Sequence, residues 1–151
     1  MTMQNNLDKK MQRIGIYGFI LNREMKTLLV KRAPQDTNPN LWELPGGGLN
    51  HGEDPEDGVI REVKEEVNLA IKVYYPLTAR SKISDKDPNK HTIRIAYFCR
   101  LLEQRSAVTL STEHSDFRWV ALNESLPFPV SELVRSCIKI ITENPQLITV
   151  K

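Results

Sequence analysis

The sequence is poor in the residues that cross-link or anchor a small protein. Cys99 and Cys137 are its only cysteines among 151 residues. They form no Cys-x-x-Cys pair and no Cys/His cluster with zinc spacing, so we expect two reduced thiols. No stretch reaches the ~18 consecutive apolar residues of a membrane span, and the apolar segment 11–21 lacks a signal-sequence cleavage site. These absences predict a cytoplasmic protein with no membrane partner.

An excess of charge of one sign is also missing. Lysine and arginine number 21 against 19 acidic residues, giving a formal net charge of +2. No block of five or more cations occurs, so we expect no nucleic-acid polymer as a partner. A small anionic ligand suits this balance. The length and the 40% hydrophobic content predict a single domain, residues 11–151, after a flexible lead-in, residues 1–10.

The order of the predicted elements indicates an α/β fold. Asp54 and Pro55 form a helix start, and Val59, Val63 and Val67 give that helix a buried stripe. A second helix is predicted over residues 130–142. Strands are predicted at 14–21, 27–31, 41–44, 70–81, 92–102, 107–110 and 117–121. We therefore expect a mixed β-sheet flanked by helices on both sides.

Three glutamates in the first predicted helix are the most informative feature of the chain. Glu62, Glu65 and Glu66 stand at spacings i, i+3 and i+4, which places them on one helix face. Like charges at these spacings repel by roughly 0.2–0.5 kcal/mol a pair. A hard divalent cation removes the repulsion and takes oxygen ligands. We therefore expect Mg²⁺, or the similar Mn²⁺, on this helix, with a solvated acidic face as the alternative.

The stretch from Gly47 to Leu69 resembles the Nudix box. That pattern is Gly, five residues, Glu, seven residues, then Arg-Glu-aliphatic-x-Glu-Glu-x-Gly-aliphatic, and eight of its nine specified positions match. The exception is Asn68, where the family has glycine. Because asparagine also tolerates the left-handed conformation, we expect the loop–helix–loop to be preserved. The flanking segments 42–47 and 117–120 resemble family members as well.

The resemblance implies a Nudix-type α/β/α sandwich and a pyrophosphohydrolase. Its substrate would be a small-molecule nucleotide in which a nucleoside diphosphate is linked to another group. A (deoxy)nucleoside triphosphate is expected first, as for MutT-like enzymes. ADP-ribose, another nucleotide sugar or a dinucleoside polyphosphate is the alternative. A non-catalytic nucleotide-sensing module is a second alternative, which the four intact box glutamates disfavour.

The resemblance also implies roles within the box. Glu62, Glu65 and Glu66 would bind the metal ion, and the backbone carbonyl of Gly46 would add a ligand. The family's first box glutamate holds the box arginine, which orients these ligands. In this chain the two residues are Glu53 and Arg61.

The general base has two candidates. Glu65 is one. Glu113 is the other, because relatives often bring a loop glutamate to the metal ions at that place. His114 and His51 are expected to be solvated loop residues.

Candidate substrate contacts lie outside the box. Arg94 is placed on a strand face opposite the apolar residues Ile93 and Ile95, where it would clamp phosphate. Arg80 is a second candidate on the preceding strand. Trp42 is a candidate surface for stacking on a base. Two copies of the chain could pair through exposed strand edges to form a homodimer, but no sequence pattern decides the oligomeric state.

Overall fold

The computed structural model describes residues 9–36 and 38–149, so most of the predicted lead-in, residues 1–8, lies outside the described residues. The described chain contains seven strands and two α-helices, followed by a short 3₁₀ helix. Their bounds are β1 Met11–Leu21, β2 Lys26–Arg32, β3 Trp42–Glu43, β4 Gly46–Gly48, α1 Pro55–Val67, β5 Ile71–Ile83, β6 Lys90–Leu101, β7 His114–Ala121, α2 Glu132–Glu143 and the 3₁₀ helix Pro145–Ile148.

The strands form one mixed sheet, as predicted. Its main order is β3-β2-β1-β6-β5, with β7 pairing on β2 and β4 pairing on β1. The β1–β6 pair is parallel and the other pairs are antiparallel. The segment Gly15 to Tyr17 of β1 pairs with β4 on one edge and with β6 on the other. This arrangement brings the glycines of β4 and Arg94 of β6 to the same part of the sheet.

Each face of the sheet is covered by a helix, which confirms the α/β/α sandwich. Val59, Val63 and Val67 of α1 pack into one buried cluster. Leu133 and Cys137 of α2 pack into the other. Because both faces are covered, the centre of the sheet is buried on both sides, as residues 15–21 of β1 show.

The strand β6 shows the effect of this double cover. The placement of Arg94 opposite Ile93 and Ile95 implies one core face, continued by Tyr97 and Cys99, and an opposite face, continued by Ala96 and Phe98, that is turned to the cleft. In the structure Phe98 and Ala96 of the opposite set are fully buried in the cluster under α2. The expectation of a single core face was therefore wrong for the second half of the strand.

The ends of α1 follow the sequence signals. The Asp54 side chain accepts a hydrogen bond from the N–H of Glu56 at 3.1 Å, and Pro55 occupies the first turn. Asn68 ends the helix in the left-handed conformation, with φ 57° and ψ 38°. The predicted loop–helix–loop is thus present. Ile60, next to the buried Val59, is exposed.

Two short segments differ from the predicted strands. Residues 107–110 form no strand, and the segment instead runs along the end of α1, where the Thr109 N–H donates to the Val67 carbonyl. The strand β4 was not predicted, because three consecutive glycines carry no side-chain alternation. No helix of the described part of the chain is long and apolar enough to cross a membrane.

Candidate active site

A cleft of about 720 Å³ opens between α1, β4, the sheet and the segment 111–114. Its lining combines eight carboxylates with six cations. The carboxylates are Asp36, Glu43, Glu62, Glu65, Glu66, Asp85, Asp87 and Glu113, and the cations are Arg13, Arg32, Lys82, Lys86, Lys90 and Arg94. The cleft therefore has the charge pattern that a metal ion bound together with a polyanion requires.

The three box glutamates differ in their burial. Glu66 is buried, with 4% of its surface exposed, whereas the Glu65 side chain is 59% exposed. Burial raises the pKa of Glu66 to about 8, although the Gly46 N–H, which donates to its Oε2 at 2.9 Å, acts in the opposite direction. Burial also raises the pKa of Glu62. A cation that binds beside such buried carboxylates stabilises their charged form and offsets the effect of burial on their pKa.

The glycines of β4 allow the backbone to approach these carboxylates. A Cβ atom on Gly47 would lie 2.7 Å from Oε2 of Glu62. A Cβ atom on Gly46 would lie 2.2 Å from the carbonyl oxygen of Ile16 in β1. Any other residue at either position would displace β4 from β1 or the Glu62 carboxylate from β4.

Arg61 links the box loop to the acidic face of α1. Its Nε and Nη2 donate to the two carboxylate oxygens of Glu53 at 2.7 and 2.8 Å. Its Nη1 donates to Glu62 at 2.9 Å and to Glu65 at 3.2 Å, and Nη2 also donates to the Gly48 carbonyl. The hydrogen bonds from Arg61 lower the pKa of Glu53 to about 2. The pairing of Arg61 with Glu53 is therefore present, and it fixes the position of Glu62.

The segment before β7 brings Glu113 to the box. The Ser111 N–H donates to the Glu66 carbonyl at 2.9 Å, and the Ala33 N–H donates to the Glu113 carbonyl at 3.1 Å. One ligand atom each from Glu66, Glu113 and His114 lies within 4.8 Å of the others. These donors, with Glu62 and Glu65 nearby, fit a hard divalent cation, because crowded carboxylates provide oxygen ligands and need a counter-charge.

His114 differs from the solvated loop residue that we expected. It begins β7, where it pairs with Arg32 of β2, and its side chain is partly buried. This burial lowers the pKa of the imidazole, so the neutral form is favoured. His51 is exposed, as expected.

Arg94 lies in the cleft, as predicted. Its Nη1 is 3.3 Å from Oε2 of Glu43, and its guanidinium carbon is 6.0 Å from the centre of the Tyr17 ring. Glu43 is itself buried and accepts a hydrogen bond from the Ser131 hydroxyl at the start of α2. The position of Arg94 is thus set by a buried carboxylate that the sequence analysis did not single out.

Arg80 and Trp42 lie outside the cleft. Arg80 Nε donates to the Ser136 hydroxyl of α2 at 3.2 Å. Trp42 is 6% exposed and packs on Phe128, with ring centres 4.6 Å apart. Neither residue is among those that line the cleft, which corrects the expectation that they contact substrate.

Several cleft cations were missed by sequence reasoning. Arg13 and Lys90 come together because β1 and β6 pair in parallel, with Met11 opposite Lys90 and Arg13 opposite Thr92. Lys86 reaches the cleft from the loop before β6. No local spacing in the sequence predicts these cleft cations, because only the long-range pairing of strands brings them together.

The fold is shared with known proteins. The profile of the NUDIX domain family matches residues 11–139. A CTP pyrophosphohydrolase from Escherichia coli (strain K12) is 25% identical over 122 residues, 80% of this chain and 85% of that protein. An ADP-ribose pyrophosphatase from Methanocaldococcus jannaschii is 40% identical over 80 residues, 52% of this chain and 45% of that protein. The crystal structure of a MutT NUDIX hydrolase from Burkholderia pseudomallei superposes with a TM-score of 0.75 at 25% identity, covering 87% of this chain and 99% of that one.

Proposed function

The chain belongs to the Nudix family of hydrolases that act on pyrophosphate bonds, and from this premise we propose that its substrate is a (deoxy)nucleoside triphosphate cleaved with the help of Mg²⁺. One observation supports this proposal above the others. The box carboxylates share a single cleft with six cationic side chains. A cleft lined in this way binds a polyphosphate and presents its anhydride bond to a metal ion at the same time.

The box carboxylates and Glu113 would hold the metal ion. Glu62, Glu65, Glu66 and Glu113 supply carboxylate oxygens, and the Gly46 carbonyl is proposed as a further ligand. Mg²⁺ or Mn²⁺ bound there would offset the charge of the diphosphate and lower the pKa of a coordinated water.

The chain itself keeps these ligands in place. Arg61 fixes the Glu62 carboxylate, and the Gly46 N–H fixes that of Glu66. Such hydrogen bonds to metal ligands orient them before the substrate arrives.

A carboxylate must take the proton of the attacking water. Glu65 is the most exposed of the box glutamates, and Glu113 lines the same cleft from the segment before β7. Both remain candidates for the general base. Comparing the pH profiles of Glu65→Gln and Glu113→Gln would decide between them, because removal of the base abolishes the acidic limb of the profile.

The cations and an aromatic side chain of the cleft would bind the phosphates and the nucleoside. Arg94 and Lys82 face the cleft with donors suited to phosphate oxygens, and Arg94 offers a planar guanidinium. Tyr17 also lines the cleft and is a candidate surface for the base.

A second substrate class is favoured by one comparison. The relative with 40% identity over 80 residues is an ADP-ribose pyrophosphatase. We therefore propose ADP-ribose or another nucleotide sugar as the alternative, with dinucleoside polyphosphates next. A nucleotide-sensing module without turnover is the remaining alternative, and the complete set of box carboxylates argues against it.

A hydrolysis screen with Mg²⁺ would test the proposal. The panel would contain nucleoside triphosphates, ADP-ribose, other nucleotide sugars and dinucleoside polyphosphates, with pyrophosphate and monophosphate detected separately. We expect release of pyrophosphate from a nucleoside triphosphate, abolished by a chelator. Binding of metal and nucleotide without turnover of any compound would favour the sensing module instead.

A further inference from the structure

His114 stands beside two carboxylates of the cleft without having been assigned a role. Its ring contributes one nitrogen to a group in which the ligand atoms of Glu66, Glu113 and His114 all lie within 4.8 Å of one another. A single cation can contact three donors at this separation after small rotations of the side chains. The group therefore contains one nitrogen donor among oxygen donors.

The backbone fixes this group from two sides. The Ser111 N–H is bonded to the Glu66 carbonyl at the end of α1, and the Ala33 N–H is bonded to the Glu113 carbonyl. His114 is paired with Arg32 at the end of β2, at an irregularity in the β2–β7 register. The three residues are thus held by main-chain contacts that do not depend on a bound ion.

A nitrogen of His114 also lacks an internal partner. Its Nδ1 is buried and has no hydrogen bond within the described part of the chain. Buried polar atoms almost always have a hydrogen-bond partner or another ligand, because leaving one unpaired is unfavourable. A cation bound at this nitrogen would satisfy it.

We propose that His114 is a nitrogen ligand to a divalent metal ion held by Glu66 and Glu113. The inference rests on the proposed function, because it concerns the metal ion of the same cleft. Imidazole nitrogen suits Mn²⁺ and later transition metals better than Mg²⁺, which prefers oxygen ligands and retains its waters. The site of this chain therefore discriminates in favour of Mn²⁺ more strongly than a site made of carboxylates alone.

Pulsed EPR of the Mn²⁺-loaded protein, without substrate, tests the ligand directly. We expect a ¹⁴N coupling to Mn²⁺ in the wild type and in His51→Ala, since His51 is exposed and away from the cleft. We expect no coupling in His114→Ala. The absence of coupling in the wild type, or its persistence in His114→Ala, would overturn the proposal.

Titration calorimetry gives a second readout that does not depend on turnover. His114→Ala should weaken Mn²⁺ binding by roughly tenfold or more, and Mg²⁺ binding by less than about threefold. If Glu66→Gln weakens Mn²⁺ binding while His114→Ala leaves it unchanged, the nitrogen ligand is wrong and the proposed function stands. If the wild type binds neither ion, both fail.

Discussion

At the residue scale, Arg61 has the densest set of polar contacts in the site. Its guanidinium contacts Glu53, Glu62, Glu65 and the Gly48 carbonyl. A planar group with five N–H donors is needed for this geometry, and lysine offers only a single ammonium. Arg61 therefore holds the Glu62 and Glu65 carboxylates of α1 against the box loop.

The first prediction concerns the replacement of Arg61 by lysine. Arg61→Lys keeps the charge but loses the bidentate contact with Glu53, so Glu62 is no longer fixed. We expect turnover and metal affinity to fall by roughly 10–100-fold, as for other residues that orient metal ligands. Steady-state kinetics at several Mg²⁺ concentrations would measure both. Arg118→Lys, at an exposed ion pair outside the cleft, is the matched control and should be unaffected.

The second prediction concerns pH. The pKa of Glu53 is lowered to about 2 in the folded protein, below its ordinary value of 4.5. A lowered pKa contributes stability above pH ~4.5, which is lost as the pH falls towards 2. The urea midpoint of Glu53→Gln should therefore fall less steeply over this range than that of the wild type. Glu103→Gln, at an exposed site, should follow the wild type, and equal slopes for all three proteins would refute the prediction.

At the element scale, the site is the contact between a glycine strand and a helix. The strand β4 pairs with β1 and faces Glu62 of α1 without any side chain of its own. Its neighbouring glycines are not equivalent, however. A Cβ atom on Gly47 would meet the Glu62 carboxylate, whereas one on Gly48 would lie 3.5 Å from the end of the Arg13 side chain, an ordinary contact.

The third prediction uses this difference. Gly47→Ala should displace the Glu62 carboxylate and lower turnover by at least roughly tenfold, since misplacement by 1 Å can cost about 100-fold. Gly48→Ala has room for its methyl group and should retain turnover close to that of the wild type. Far-UV circular dichroism would confirm that both variants fold. Equal losses in the two variants would contradict the assigned contact.

The elements also show which parts of the fold a sequence can predict. The helix α1 was predicted with its caps because Asp54, Pro55 and Asn68 act within the same few residues. Arg80 was misplaced because, although it lies directly opposite Arg94 in the β5–β6 register, its side chain donates to the Ser136 hydroxyl of α2, a helix far away in the sequence. Lys90 was missed because only the parallel pairing with β1 brings it to the cleft. Local sequence signals therefore predicted α1 and its caps, whereas the positions set by long-range contacts could not be predicted from the sequence.

At the scale of the whole molecule, the sheet separates two buried clusters, and each contains one cysteine. Cys99 of β6 lies in the cluster under α1, and Cys137 lies on the buried face of α2 in the other cluster; both are fully buried. Burial raises the pKa of both thiols, that of Cys137 to about 12. Thiolate is the reactive form, so both groups are unreactive at neutral pH while the two clusters are intact.

The fourth prediction follows from these thiols. In the native protein neither cysteine should react with a thiol reagent at pH 7.5 within minutes, and both should react fully in denaturant. Cys99→Ser and Cys137→Ser variants would show whether the two clusters open together or separately as urea is raised. Rapid labelling of either thiol without denaturant would contradict the burial described above.

The parallel pairing of β1 with β6 also affects the order in which the molecule can fold. Met11 pairs with Lys90 and Leu21 with Arg100, so the two strands are far apart in the sequence and can pair only when most of the chain is available. Contacts between residues so distant in the sequence form slowly, because a long loop must close first. During synthesis the acidic helix would be complete well before β6 leaves the ribosome. The full set of cleft cations would thus be assembled late in folding, and a chain truncated before β6 would carry the acidic box without Lys90 and Arg94.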